Sequence, residues 1–204
     1  MRPCFRRNTR LSWLLASGVY FCSPSAANAH LVTTGMGPIY DGIGHLLLTP
    51  EDLVPVLALA LYAGLRGAGS GRRVMFLLPL AWFAGGLAGS ASGGSPSFPL
   101  PAISFLVLGA LVAADLHLQD TAVAVLAVCL GLVHGFLNGA ALKEGAGTFR
   151  LLGIMTMLFV LVALASAFVI SLKRPWTRVV VRVAGSWIGA SGLLLLGWFI
   201  REAK

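Results

Sequence analysis

Residues 37–53 have the sequence GPIYDGIGHLLLTPEDL, and an apolar run follows them directly. Thr49 is a typical N-cap residue, and Pro50 suits the first position of a helix, where its missing N–H costs nothing. The two carboxylates that come next fall in the first turn, where they interact favourably with the helix dipole. The stretch therefore predicts a helix that begins at residue 50 and continues as a segment of near-spanning length.

The composition indicates a membrane protein with several spans. Of the 204 residues, 57% are hydrophobic and only 11% are charged, and the mean hydropathy is +0.87. A soluble domain of this length is much less apolar. The net charge of +8 does not indicate a nucleic-acid partner, because the basic residues lie at the N-terminus and between apolar runs, as topology determinants do. We therefore expect membrane lipid around the chain and no bound nucleic acid.

The first 29 residues have the features of a cleavable secretory signal peptide. A cluster of arginines precedes an apolar stretch, and residues 27–29 form an A-x-A cleavage site. The apolar stretch is too short for a comfortable membrane span. Cleavage at this site would leave His30 at the new N-terminus, where its imidazole and the free α-amino group together can chelate a metal ion. We expect the mature domain to cover residues 30–204.

Six apolar segments of near-spanning length follow one another, separated by turn residues or charges. We expect an all-α fold, a polytopic membrane helix bundle with six transmembrane helices. The predicted helices cover residues 50–66, 74–91, 100–114, 121–142, 149–171 and 183–200. Glycines at GxxxG spacing in the second and sixth of these helices predict close helix packing, within the bundle or between copies of a homo-oligomer.

The charges in the loops predict the orientation of the bundle. If the mature N-terminus is outside, the inner loops carry more arginine and lysine than the outer loops and the C-terminal tail, as the positive-inside rule requires. A secretory signal demands the same orientation. We therefore expect a multi-pass protein of the bacterial inner membrane with both mature termini outside, on the periplasmic side.

Polar residues gather near the predicted outer surface. Asp41 and His45 share a face if residues 38–48 form a short helix, because residues four apart are neighbours on a helix, and His134 and Asn138 repeat that spacing. Imidazoles with carboxylate or amide oxygens suit Ni²⁺, Co²⁺, Cu²⁺ or Zn²⁺. Ionisable groups at membrane depth are costly, so they usually have a function. The candidate metal ligands are His45, His134, Asp41, Asn138, His30 and Asp52.

A second polar group lies near the predicted inner surface. Asp115, His117 and Asp120 occur together between the third and fourth predicted helices. Such a group is typical of a solvated loop, and it would also suit an exit site for a cation. Both interpretations stay open at this point.

The segments DGIGHLLLTPEDLVPVLALALYAG (residues 41–64) and HGFLNGAAL (residues 134–142) resemble the HupE/UreJ family. Its members are six-helix membrane proteins that are associated with hydrogenase and urease clusters and are regarded as nickel or cobalt permeases. His45 and His134 match histidines of the family directly, whereas the family often has another His at the position of Asn138. The resemblance implies a metal permease that is not an enzyme, has no prosthetic group and serves metalloenzyme maturation.

Two alternatives remain open. In the first, the chain binds a metal or supports metalloenzyme assembly without transport, since the same ligands would serve that role. In the second and more remote one, it is a rhomboid-like intramembrane serine protease, because His134 and Asn138 form an HxxxN element and residues 189–192 read GASG. A serine nucleophile needs a general base within reach, but no histidine follows Ser191, so small-residue packing is the favoured interpretation of GASG.

Overall fold

A computed structural model describes residues 34–92, 99–141 and 147–202 of the chain. All regular secondary structure in these ranges is helical, which confirms the all-α prediction. The helices are α1 (Pro38–Leu48), α2 (Pro50–Arg66), α3 (Ala68–Ala91), α4 (Leu100–Ala114), α5 (Asp120–Ala141), α6 (Gly147–Ser171) and α7 (Pro175–Glu202). The predicted signal peptide and His30 lie outside the described residues.

The helices have the lengths and composition of a polytopic membrane protein. Helices α3, α5, α6 and α7 are each long and apolar enough to cross a membrane. Helices α1 and α2 pass the same test only as a pair, and the pair is bent by 76°. Counting that pair as one span gives up to 5 candidate spans in the described residues. The remaining predicted span corresponds to α4, which is apolar but has only 15 residues, so the sixth span stays a prediction.

Two helices begin earlier than the hydropathy pattern predicts. Helix α3 begins at Ala68 rather than at residue 74, and α7 begins at Pro175 rather than at residue 183. The added turns carry arginines, which lower the hydropathy of a segment but are good helix formers. Basic residues that the sequence pattern assigns to loops therefore lie in the ends of helices.

The bend between α1 and α2 is made at Thr49 and Pro50. Thr49 is extended, with φ −104° and ψ 94°, because the ring of a following proline disfavours the helical conformation. Pro50 opens α2, as predicted. The Thr49 hydroxyl makes no cap hydrogen bond and has no partner among the described residues. A single extended residue thus separates the last turn of α1 from the first turn of α2.

Helices α3 and α5 pack backbone against backbone along facing glycines. A side chain at Gly85 or Gly89 would collide with the α5 backbone, and one at Gly135 or Gly139 would collide with the α3 backbone. Small residues allow such close approach between helices in lipid. The close packing predicted for the second helix is therefore confirmed, and it brings His134 on α5 directly against α3.

The other helices are arranged around α2, which contacts α3, α4 and α6. Helix α1 is held on α6, where Gly42 and Gly153 let the two backbones meet. Helix α4 packs mainly on α7, through Gly185 and Gly189, and on α2, rather than on α5 that follows it in sequence. Cavities of about 210 and 540 Å³ lie along the seam between α4 and α5. Helices α4 and α7 thus form a pair beside the rest of the bundle.

Candidate functional site

Four polar side chains from three helices meet at the bend between α1 and α2. His45 belongs to the last turn of α1, Asp52 to the first turn of α2, and His134 and Asn138 to α5. His45 Nε2 lies 2.5 Å from Asn138 Oδ1. His134 Nδ1 lies 2.9 Å from Asp52 Oδ1, and Asn138 Nδ2 donates to Asp52 Oδ2 over 2.9 Å. We call these four side chains the polar network.

The polar network is largely buried. His134 is 1% exposed, and Asp52 and Asn138 are each 7% exposed. A buried carboxylate must be hydrogen-bonded or paired with a cation, and Asp52 also lies in the first turn of α2, where the helix dipole favours negative charge. The side chain of His45 is 22% exposed and its Nε2 lies 3.8 Å from Asp52 Oδ2. His45 is therefore the most accessible member of the network.

Hydrogen bonding fixes the orientation of the Asn138 amide. Its Nδ2 donates to Asp52 Oδ2 over 2.9 Å and to the backbone carbonyl of His134 over 3.0 Å. The reverse orientation would set the amide oxygen against the carboxylate, so Oδ1 faces His45. The Nε2 atom of His45 must then carry a proton, which it donates to Asn138. In a neutral ring this leaves the lone pair on His45 Nδ1.

Both ring nitrogens of His134 have partners, on opposite sides of the ring. Nδ1 faces Asp52, and Nε2 lies 3.0 Å from the hydroxyl oxygen of Ser104 on α4. The ring of Trp82 on α3 is fully buried and its centroid lies 5.4 Å from that of the imidazole, with 33° between the planes. Three helices besides α5 therefore hold His134 in place.

The donor atoms suit a borderline divalent ion, although the side chains are hydrogen-bonded to one another. Within residues 34–92, 99–141 and 147–202, no three His, Cys, Asp or Glu side chains form a group that could hold a metal ion. Asp52 instead lies between His45 and His134, with one oxygen toward each. An ion bound here would replace these hydrogen bonds and use imidazole nitrogens with the oxygens of Asp52 and Asn138.

A comparison of the sequence with known families identifies the chain. The family model described as HupE / UreJ protein matches residues 19–195. The chain belongs to the HupE/UreJ family. No curated protein and no solved structure matches it. Membership confirms the resemblance seen in the two motifs, and it makes this chain an accessory membrane protein of nickel and cobalt handling.

In this HupE/UreJ protein, Asp41 lies apart from the polar network. Its Oδ1 accepts hydrogen bonds from the backbone N–H and the hydroxyl of Thr34, over 2.5 and 2.8 Å. Its Oδ2 lies 3.5 Å from Arg150 Nη2. Asp41 therefore connects the segment before α1 to the start of α6, although the spacing predicted a role beside His45. The structure brings together four of the six candidate ligands.

At the far end of the HupE/UreJ bundle, the acidic residues are paired with arginines. Asp115 forms an ion pair with Arg66, whose side chain is only 3% exposed. Asp120 lies 3.2 Å from Arg73, and His117 is exposed. The three residues thus do not converge on a common point, and their carboxylates are neutralised by cations. This arrangement favours the interpretation as a surface loop over that as an exit site.

The contacts contradict the pairing that a rhomboid-like protease would need. Ser191 is exposed and donates to the carbonyl of Trp187 over 3.0 Å, while His134 bonds to Ser104 instead. The chain Ser104–His134–Asp52 has the order of a catalytic triad. In a triad the serine donates to the histidine; here two carbonyls of α4 compete with His134 for the Ser104 proton, at 2.9 and 3.0 Å.

Sequence reasoning missed Ser104 and Trp82 as neighbours of the network. Each lies in an apolar segment, where a serine usually bonds to its own helix and a tryptophan usually packs in the core. The one available signal is that Ser104 is the sole polar side chain of α4. Only the packing of α4 and α3 against α5 brings Ser104 and Trp82 into contact with His134.

Proposed function

We propose that this protein is a permease that takes up a divalent transition-metal ion, nickel or cobalt, through the polar network. The observation that carries the proposal is the convergence of His45, Asp52, His134 and Asn138, which are separated by as many as 93 residues. Buried polar groups are costly in a membrane protein unless they serve a function. Their joint burial at one point supports a binding site for a polar cargo.

The chemistry of the network supports a transition metal over Ca²⁺ or Mg²⁺. Calcium and magnesium prefer ligand sets made of oxygen atoms alone, whereas two imidazoles with a carboxylate and an amide oxygen suit nickel, cobalt, copper or zinc. Family membership favours nickel and cobalt within that group. The network has no thiolate, so we expect it to bind such an ion less tightly than a cysteine site does. A weaker site suits a transporter, because the ion must also be released.

The bend at the site also supports transport. Transporters often bind their substrates where a membrane helix is interrupted, because the freed backbone groups and the ends of the half-helices face the substrate. Here the bent pair of α1 and α2 is interrupted between His45 and Asp52. The last carbonyls of α1 are therefore close to the place where a cation would bind.

We infer that the network faces the outside of a bacterial inner membrane, with both mature termini on that side. The basic residues support this orientation, since Arg66, Arg72, Arg73 and Arg178 lie at the ends of helices remote from the network and would be cytoplasmic under the positive-inside rule. A metal ion that enters there would be delivered to the maturation of a metalloenzyme such as a hydrogenase or a urease.

One observation favours the alternative of a protein that binds metal without transporting it. The buried residues of α2 between Asp52 and Arg66 are apolar apart from Tyr62. At the far end the buried guanidinium of Arg66 would repel a cation. A pathway through the bundle would therefore need a second conformation in which these groups move apart.

Uptake measurements with matched histidine variants test the proposal. Cells that express the wild type, His45→Ala, His134→Ala or His117→Ala at equal membrane levels are given radiolabelled nickel or cobalt. His117 is the control because it is exposed and remote from the network. We expect uptake by the wild type and by His117→Ala, and a loss of at least about tenfold in the other two variants, which corresponds to ~1.4 kcal/mol.

The other outcomes separate the two candidate functions. In one outcome the wild type takes up no metal, but the purified protein binds nickel and His134→Ala abolishes that binding. This result would establish the binding or assembly role. Absence of both uptake and binding would refute the polar network as a metal site.

A further inference from the structure

We propose that Ser104 is a positioning residue of the site, which holds the His134 ring so that Nδ1 is the nitrogen presented to the metal. This inference rests on the proposed metal site. Ser104 lies on α4, whereas the four members of the polar network lie on α1, α2 and α5. The α4–α7 pair would therefore contribute to the site through this one hydroxyl.

The hydrogen bonds of Ser104 allow it to accept from His134 when an ion occupies Nδ1. The hydroxyl has two carbonyl acceptors on its own helix, Leu100 at 2.9 Å and Pro101 at 3.0 Å. A hydroxyl has a single proton to donate and two lone pairs. When that proton is directed at the α4 carbonyls, the oxygen is left as an acceptor, and His134 Nε2 lies 3.0 Å away. In that arrangement Ser104 can accept a hydrogen bond from Nε2 whenever Nε2 carries the proton of the ring.

The acceptor on the Nε2 side lets Nδ1 serve as the metal ligand of His134. A histidine ligand presents one unprotonated nitrogen to the metal, and the partner of its other nitrogen fixes the tautomer and the ring orientation. Without an ion, Nδ1 donates its proton to the Asp52 carboxylate over 2.9 Å. A metal ion at Nδ1 would displace that proton, and the neutral ring would then carry its proton on Nε2 and donate it to Ser104. Both Nδ1 and Asp52 Oδ1 are then available to the same ion.

The described residues around His134 offer no replacement for Ser104. His134 and Ser104 both line the cavity of about 210 Å³ between α4 and α5, whose other lining side chains are apolar apart from Cys129. Trp82 covers the ring but does not bond to it, since its indole nitrogen has no partner among the described residues. Without the hydroxyl, the ring keeps its packing and its contact with Asp52, but Nε2 loses its polar partner.

Four variants of the full-length protein in detergent separate the hydroxyl from the shape of the side chain. Ser104→Ala and Ser104→Val remove the hydroxyl, and Ser104→Thr retains it in a side chain of the same shape as valine. Ser166→Ala is the matched control, because Ser166 is buried on α6 and donates to the carbonyl four residues before it. Titration with Co²⁺ gives the affinity, and the cobalt absorption bands report the ligand geometry.

We expect Ser104→Ala and Ser104→Val to bind Co²⁺ about 10- to 100-fold more weakly than the wild type, the range seen when the partner of a ligating histidine is removed. Their cobalt bands should also change in position or intensity. Ser104→Thr should restore both properties, and Ser166→Ala should leave both unchanged. Thermal unfolding of each variant without metal shows whether it is folded. The comparison of Ser104→Thr with Ser104→Val remains valid even if Ser104→Ala destabilises the protein.

Two results would overturn the inference, and they differ in what else they affect. In the first, Ser104→Val has the Co²⁺ affinity and the cobalt absorption bands of the wild type, while His134→Ala no longer binds Co²⁺. This result would remove Ser104 from the site and leave the proposed function intact. Equal weakening by Ser104→Thr and Ser104→Val would show that the hydroxyl is not responsible. A wild type that binds no Co²⁺ would overturn the metal site itself and the role of Ser104 with it.

Discussion

The contact between α3 and α5 makes a quantitative prediction at Gly135, the residue beside His134. A Cβ at this position would lie 2.8 Å from both the carbonyl carbon and the Cα of Trp82. These are backbone atoms, which cannot rotate away as a side chain can, so Gly135→Ala must push the two helices apart. Overpacking of this kind costs about 1–3 kcal/mol, and the rigid obstacle places this case at the upper end of that range.

The intrinsic preference of alanine for helices offsets about 1 kcal/mol of that cost. We therefore expect Gly135→Ala to lower the free energy of unfolding by about 2 kcal/mol, which for a chain of this size lowers the melting temperature by roughly 4–8 °C. Circular dichroism of the detergent-solubilised protein during heating measures this change. Nickel affinity should fall as well, because His134 moves with the α5 backbone.

Gly197→Ala on α7 is the matched control. None of the described residues comes within 4 Å of a Cβ at that position, so only the helix preference acts and the melting temperature should stay the same or rise slightly. If Gly135→Ala melts at the wild-type temperature, as the control does, then α3 and α5 are not in backbone contact beside His134 and the reasoning is wrong.

Four further substitutions test other parts of the molecule. Asn138→His adds an imidazole to the network and should raise nickel affinity about tenfold, or ~1.4 kcal/mol, in calorimetric titrations; unchanged affinity would mean that this position is not a ligand. Asp115→Asn removes the partner of the buried Arg66 and should cost about 3–5 kcal/mol of unfolding free energy. Arg73→Gln breaks the exposed ion pair with Asp120 and should cost at most about 1 kcal/mol of unfolding free energy. If denaturant titrations give equal losses for Asp115→Asn and Arg73→Gln, the reasoning from the difference in burial is wrong. Pro50→Ala lifts the restriction that keeps the preceding residue extended, so nickel affinity should fall while helix content is preserved; retained affinity would show that the bend does not depend on proline.

Much of the fold follows from local features of the sequence. Thr49 and Pro50 mark the start of α2 correctly, and the short helix considered for residues 38–48 is present as α1. The apolar runs correspond to the later helices. The hydropathy pattern fails at the starts of α3 and α7, because it measures the preference of a segment for lipid and not its capacity to form a helix.

The candidate site was less accessible to sequence reasoning. Helical spacing correctly places His134 and Asn138 on one face of α5, since both bond to Asp52. The same spacing rule links Asp41 to His45, but Asp41 bonds elsewhere. Sharing a face does not determine which neighbour that face meets, and this depends on how α1 packs against α6. Ser104 depends in the same way on the position of α4 relative to α5.

The shortness of α4 has an electrical consequence. Its 15 residues extend about 22 Å, against a hydrocarbon core of ~30 Å. Ser104 and Asp115, near the two ends of the helix, are separated by only about 16 Å along its axis. If α4 crosses the membrane and the lipid thins to match it, the voltage difference falls over about 22 Å, and the field beside the helix is roughly 1.4 times that across the bare lipid. A divalent ion gains about 4.6 kcal/mol for each 100 mV that it crosses. An inward ion would then receive about three-quarters of that driving force in the roughly 16 Å between Ser104, beside the polar network, and the Arg66–Asp115 pair.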